Sequence, residues 1–377
     1  MSKPAGCLLR SLSILPAFVF AAIALAVAAA TSSAQTPPPP PPGAFNMPER
    51  YPWDTRPPKC LMPGAPKVTF GICAAVDNWP NPGQTIYRLR VLYVGENYAL
   101  LERALTELTT PSRQFSNGAY TEEVIALAFT GAIQGSNAEA EEERRFAAWR
   151  KAAPDSPWVD FARASFLYQK AWAERGGDAS LPVSKESMEM FNIDLQTAEQ
   201  ILLKASPRLR NSPEWYDLLL NISLDSDRVQ SDPRDVFEEG VKRWPTYASL
   251  YTRMVWRMPP IWGGSWEAVE AFATKWTDRQ PASEGKSLYA RIYLSLLREA
   301  SVTEMRFDWN RMKASFDDLI AKHPDRQYKN SYASFACFEK DKEAFGKAMR
   351  MLPQDEVVPG WWLQGYSYDG CVRWSGT

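Results

Sequence analysis

Residues 191–205, FNIDLQTAEQILLKA, decide the fold class of this chain. Apolar or small side chains recur there every three or four positions, at Phe191, Leu195, Ala198, Leu202 and Ala205. This spacing puts them on one face of an α-helix, and such a face has to be buried against a neighbour. The stretch therefore predicts one helix of a larger helical assembly.

Comparable stripes fill the chain on both sides of this segment, while no segment shows the alternation of a convincing strand. They include Leu101, Leu105 and Leu108; Phe161, Ser165, Tyr168 and Trp172; Phe237, Val241 and Trp244; Leu288, Ile292 and Leu296; Met312, Phe316 and Ile320; and Phe345, Met349 and Leu352. We therefore predict an all-α fold, an array of about ten to twelve helices stacked as antiparallel pairs in an α-solenoid.

Prolines punctuate the stripes at a quasi-regular interval. Pro154, Pro207, Pro245, Pro281 and Pro324 are separated by 53, 38, 36 and 43 residues. Proline ends one helix and is tolerated in the first turn of the next. The shorter intervals suit one helix pair with its turns, which a plain bundle does not require.

The N-terminus has the features of an export signal. Lys3 and Arg10 precede an apolar stretch, and the small residues Ser32 and Ala34 suit cleavage before Gln35. We predict a signal peptide over residues 1–34 and a periplasmic or secreted mature protein. An uncleaved membrane anchor is the alternative; after cleavage no later segment is apolar enough to span a bilayer.

Composition divides the rest of the chain into five predicted segments. Pro37 to Pro42 belong to a Pro-rich linker over 35–50, followed by an irregular strap over 51–83. A helical-repeat domain is expected over 84–302, further helices of the same array over 303–352, and a tail over 353–377.

Four cysteines remain after the signal: Cys60, Cys73, Cys337 and Cys371. An even number in an oxidising compartment favours disulfides, although four cysteines allow three connectivities. We expect Cys60–Cys73 and Cys337–Cys371, because each pair is the closest in sequence.

Composition also excludes several classes of function. The chain has 43 Lys and Arg against 44 Asp and Glu, so it lacks the basic footprint of a nucleic-acid-binding protein. The one histidine, His323, follows a helical stripe and is expected to be a cationic helix cap. No zinc spacing or phosphate loop occurs, so neither a metal nor a cofactor is expected.

Two clusters of acidic residues are expected to be solvated. Glu141 and Glu142 belong to a run of glutamates ahead of two arginines, which is typical of an exposed helix face with internal ion pairs. Asp225 begins an acidic stretch that lacks the glycine and glutamate of a calcium-binding EF-hand loop. We interpret that stretch as a helix-connecting loop.

Four short motifs resemble an uncharacterised bacterial helical domain family that is loosely similar to tetratricopeptide pairs. They are Pro154-Asp155-Ser156-Pro157, Ala171-Trp172-Ala173-Glu174-Arg175-Gly176, Trp244-Pro245-Thr246-Tyr247 and Trp262-Gly263-Gly264-Ser265. The resemblance covers about residues 85–300. It implies a helical fold and assigns no activity.

The candidate ligand-binding residues are Trp262, Gly263, Gly264 and Ser265. Two glycines permit a sharp reversal, Ser265 is suited to begin a helix, and the tryptophans offer stacking area. The same residues also suit a purely structural turn. We expect a non-catalytic binding scaffold for a protein or peptide, or else for cell-wall glycan. The alternatives are a carboxylate-dependent hydrolase of cell-wall glycan, which needs no histidine, and a structural envelope protein.

Overall fold

The computed structural model describes residues 82–109, 114–115, 117–129, 138–176, 183–205 and 207–376. This part of the chain is all-α, as predicted, and contains fifteen α-helices and no strand. The helices are α1 Pro82–Val94, α2 Tyr98–Thr109, α3 Glu123–Phe129, α4 Ala138–Ala152, α5 Trp158–Arg175, α6 Lys185–Lys204, α7 Pro213–Asp225, α8 Pro233–Arg243, α9 Ala248–Val255, α10 Trp266–Thr277, α11 Ser287–Leu296, α12 Trp309–Lys322, α13 Arg326–Phe338, α14 Lys342–Met351 and α15 Tyr368–Ser375. The helices are thus more numerous than the ten to twelve expected.

The five punctuating prolines occupy equivalent places in this order. Pro154, Pro207, Pro245, Pro281 and Pro324 each lie between an even-numbered helix and the odd-numbered helix that follows. Polar caps then start many of the helices: the side chains of Ser184, Ser212, Asp232, Ser265, Asp308, Asp325, Asp341 and Ser367 each accept a backbone N–H of the first turn. Helix boundaries are therefore encoded locally.

Most consecutive helices pack as neighbours, and the odd-numbered helices from α1 to α11 also pack against one another in turn. The pairs α5–α6, α11–α12 and α13–α14 are the most extensive. In addition α1 packs on α3, α3 on α5, α5 on α7, α7 on α9, and α9 on α11. The odd-numbered helices from α1 to α11 therefore form a continuous layer. Most residues of the predicted stripes are buried, Leu195 and Leu202 completely, whereas Tyr168, Trp172 and Met349 are partly exposed.

A short hairpin joins this layer to helices far along the chain. Gln114 and Tyr120 form an isolated antiparallel bridge. The carbonyl oxygen of Asn117 accepts hydrogen bonds from Arg291 of α11 at 3.0 Å and from the Tyr328 hydroxyl of α13 at 2.7 Å. Tyr120 also shares a hydrogen bond with Thr246. The hairpin therefore ties the first helices to α11 and α13.

At the C-terminus, residues 353–376, which were predicted to be a tail, contain helical structure. They contain the 3-10 helices Gln354–Glu356 and Pro359–Trp361 and the helix α15. The disulfide Cys337–Cys371 is present, with 5.8 Å between the two Cα atoms, and it fastens α15 to α13. The expected signal peptide, the linker, almost all of the strap and the expected Cys60–Cys73 pair lie outside the described residues.

The structure contradicts the charge state or exposure predicted for Glu142 and His323. Glu142 is buried, not solvated, because its carboxylate accepts a hydrogen bond from the Tyr93 hydroxyl. His323 is the C-cap of α12, as predicted, but burial, with Arg291 nearby, lowers its pKa to about 4. A buried, neutral imidazole therefore stands where a cationic cap was expected.

Among the described residues, none of the helices has the length and apolarity needed to cross a membrane.

Candidate functional site

The predicted ligand-binding turn lies between α9 and α10. Trp262 ends the 3-10 helix Pro260–Trp262, and Gly263 follows with a φ of 83°. A Cβ atom on Gly264 would overlap the carbonyl oxygen of Met258, so a larger residue does not fit there. The hydroxyl of Ser265 accepts the backbone N–H of Ala268 and starts α10. Gly264 and Ser265 thus both maintain the turn itself.

Trp262 connects this turn to an arginine held between aromatic rings. The guanidinium carbon of Arg257 lies 4.4 Å from the centroid of the Trp262 ring, and 5.9 Å and 6.0 Å from those of Trp172 and Trp256. Cations are attracted to indole faces at these distances. Two motifs that are about ninety residues apart in sequence, around Trp172 and around Trp262, are thereby brought together at Arg257.

Asp225 lies under this arginine and is buried, so its interpretation as part of a solvated loop is wrong. It forms an ion pair with Arg257, and its side chain is only 3% exposed. Its Oδ2 accepts a hydrogen bond from the Tyr168 hydroxyl at 2.8 Å and another from Trp172 Nε1 at 3.0 Å. These donors come from α5, so Asp225 joins α5, α7 and the segment after α9.

Polar residues continue along α7 at intervals of four. Asn221 lies one turn before Asp225 and Asp217 one turn further, with Asn221 Nδ2 3.4 Å from Asp217 Oδ2. From α9, the Ser249 hydroxyl donates to Asp217 Oδ1 at 2.8 Å. Arg253 lies one turn beyond Ser249, with its Nε 3.5 Å from Asp217 Oδ2.

We call this set the polar stripe and define it by its residues on three adjacent segments. They are Tyr168 and Trp172 of α5, Asp217, Asn221 and Asp225 of α7, and Ser249, Arg253 and Arg257 of α9 and the turn after it. Side chains four residues apart lie on the same face of a helix. Because α5 packs on α7 and α7 on α9, the polar faces of these three helices lie next to each other.

The polar stripe has an uneven supply of hydrogen-bond partners. Arg257 is held by Asp225, whereas the described residues contain no hydrogen-bond acceptor for Arg253 beyond its ion pair with Asp217. The Arg253 side chain is 38% exposed, so its terminal nitrogens face solvent. A guanidinium has five N–H donors, and this one therefore has donors available for a ligand.

Buried acids lie behind the polar stripe. Burial and the field of Asp217 raise the pKa of Glu214 well above its usual range, and Glu214 accepts a hydrogen bond from Tyr247. Burial likewise raises the pKa of Glu123 to about 7. Glu123 also accepts the backbone N–H of Tyr120 at 2.9 Å, which is a helix-capping contact.

A separate polar pocket of about 580 Å³ lies beside the Pro154-Asp155-Ser156-Pro157 motif. Its wall also contains Glu102 of α2, Trp158 of α5, Asn211, and Trp244 at the end of α8. Two motifs of the sequence resemblance therefore border one cavity.

Sequence reasoning selected the Trp262 turn but missed Arg253, the polar stripe as a whole and this pocket. The usable signal was the spacing of four among Asp217, Asn221 and Asp225 in α7, a helix whose other residues are mostly apolar. Within the described ranges, no group of three or more His, Cys, Asp or Glu side chains could hold a metal ion.

No protein-family model, no curated protein and no solved structure matches this chain.

Proposed function

We propose that this protein is an exported, non-catalytic binding scaffold whose polar stripe holds a protein or peptide partner. The observation that carries the proposal is the alignment of half-buried Tyr, Trp, Asn and Arg side chains on three adjacent helical segments. Tyrosine, tryptophan and arginine are the residues that dominate binding energy in protein interfaces.

Arg253 is the residue to which the proposal assigns the central contact. Its available N–H donors suit main-chain carbonyl groups or a carboxylate of a peptide. Trp262, 37% exposed, lies next to Ile261, 62% exposed, at the Arg257 end of the stripe and would add an apolar contact. Such a combination favours an extended peptide with both polar and apolar side chains.

A peptide-display library selected on the wild-type protein tests the proposal. Selected peptides should bind Arg253→Ala at least about tenfold more weakly, because truncating a central interface arginine costs about 2 kcal/mol. Arg306→Ala is the matched control, since the Arg306 side chain is 73% exposed and its one ion pair among the described residues is with the exposed Glu267. Peptides that bind both variants as well as the wild type would refute the assignment of the stripe. A library that yields no binder would favour the structural alternative.

One observation favours a second candidate function, a carboxylate-dependent hydrolase of cell-wall glycan. A carboxyl group with a pKa of about 7, as at Glu123, is suited to donate a proton at neutral pH. Release of soluble fragments from peptidoglycan by the wild type, lost in Glu123→Gln, would establish this function. Absence of release would leave Glu123 as the cap of α3.

A further inference from the structure

The pocket beside the Pro154 motif has the size and chemistry of a ligand site, and it uses none of the polar-stripe residues. Its volume of about 580 Å³ falls within the range of small-molecule sites, roughly 300–1,000 Å³. Its walls come from α2, from the start of α5, from the turn before α7 and from the end of α8. Four elements far apart in sequence therefore enclose it.

The pocket wall carries polar groups that the fold itself leaves unused. The Asn211 side chain is exposed and makes no hydrogen bond with the described residues. The Asp155 carboxylate is likewise exposed, and within the described ranges only the main-chain oxygen of Asp155 accepts a hydrogen bond, from Arg208. Trp244 Nε1 is a buried donor without a partner among the described side chains and backbone. The exposed amide and carboxylate thus offer both donors and acceptors to a ligand, whereas the indole N–H is enclosed by protein.

The balance of charge in the wall selects against anionic ligands. The carboxyl groups of Glu102 and Asp155 border the pocket, against the single cation Arg208. Arg150 borders the adjoining cavity, but it is engaged by Asp160 and by the carbonyl oxygens of Pro154 and Ser156. A phosphate or a carboxylate would therefore meet an excess of negative charge.

Two indoles supply the apolar part of the wall. Trp158 is held in the core by an edge-to-face contact with Phe161, with 5.7 Å between ring centroids, and it still borders the cavity. Trp244 borders it from the end of α8. Tryptophan combines a large apolar area with a polar N–H, so it suits ligands with one apolar and one hydroxylated side.

We propose that this pocket binds an uncharged saccharide. A sugar ring presents hydroxyl groups that both donate and accept, as the Asn211 amide and the Asp155 carboxylate require, and C–H groups that pack on indole. The proposal goes beyond the scaffold function, because it concerns a different surface and stands or falls without the polar stripe.

Calorimetric titration of the full chain with uncharged tetrasaccharides of glucose, xylose and N-acetylglucosamine tests this. At least one should bind the wild type, and Asn211→Ala and Asp155→Ala should each weaken it by about tenfold or more. Both side chains are exposed and outside the core, so these variants should fold. Asn310→Ala, an exposed amide beside a different cavity, is the matched control and should bind as the wild type does.

Three outcomes would overturn the proposal. One is the absence of binding to all three sugars, and another is equal weakening by Asn310→Ala. The third is tighter binding of spermidine than of any sugar, lost in Asp155→Ala, because the carboxylates would then define a cation site. Peptide binding through Arg253 should be unchanged in Asn211→Ala, which separates failure here from failure of the scaffold function.

Discussion

Replacing Gly118 by alanine should release the hairpin from α11 and α13. Gly118 has a φ of +76°, a region that residues with a Cβ atom rarely adopt. An added Cβ would overlap the end of the Arg291 side chain and lie 2.6 Å from Nε2 of His323. The flexible end of Arg291 can move aside. The buried His323 ring has no room to do so, and the hairpin itself must therefore shift.

The magnitude follows from the contacts that such a shift breaks. The left-handed backbone conformation costs an alanine about 1–2 kcal/mol. The Asn117 carbonyl would lose a hydrogen bond from the Arg291 guanidinium and one from the Tyr328 hydroxyl. Hydrogen bonds contribute about 1 kcal/mol each when neutral and more when one partner is charged. We therefore expect Gly118→Ala to lower the free energy of unfolding by about 4–6 kcal/mol.

Gly365→Ala separates backbone strain from steric overlap. Gly365 has a φ of +85°, but nothing lies within 4 Å of its added Cβ, so only the strain of about 1–2 kcal/mol applies. Urea unfolding measures both variants, and hydrogen exchange should show faster opening of α11 and α13 in Gly118→Ala alone. Equal destabilisation of the two variants, without a change in exchange, would refute the role given to the hairpin.

The other predictions concern pH, redox state and the N-terminal segment. Burial raises the pKa of Glu123 from 4.5 to about 7, so its contribution to stability is complete below pH 4.5 and is lost as the pH rises through 7. Thermal unfolding measured across this pH range should show that loss in the wild type and not in Glu123→Gln. His323 has the opposite sign: its pKa is lowered from 6.5 to about 4, so stability should fall as the pH drops through that window, and less so in His323→Gln. Reducing Cys337–Cys371, which closes 34 residues, should cost up to about 4 kcal/mol in the chain-entropy model and expose α15 to hydrogen exchange. Deleting residues 35–50 should leave the unfolding midpoint unchanged, because this stretch has few apolar anchors.

Local features of the sequence predicted the helices, because amphipathic spacing, polar caps and prolines act within a few residues. Charged side chains were predicted poorly because their partners lie far from them in the sequence. The partner of Glu142 is Tyr93, 49 residues earlier, and the partner of Asp225 is Arg257, 32 residues later. Nothing near either acid in the sequence distinguishes it from a solvated acid, so only the packing of distant helices reveals that it is buried.

The polar stripe could have been detected, since α7 is an unusual helix. Ten of its thirteen residues are buried, which is typical of a helix enclosed on most sides. Polar side chains in such a helix are costly unless they are paired, and Asp217, Asn221 and Asp225 recur at the helical interval of four. The same interval separates Ser249, Arg253 and Arg257. The sequence does not show that the α7 residues lie beside the Ser249, Arg253 and Arg257 series, because that arrangement depends on α7 packing against α9. In a layer of helices that contact one another on both sides, polar residues at this interval pair with each other along the line where α7 meets α9 and the turn after it.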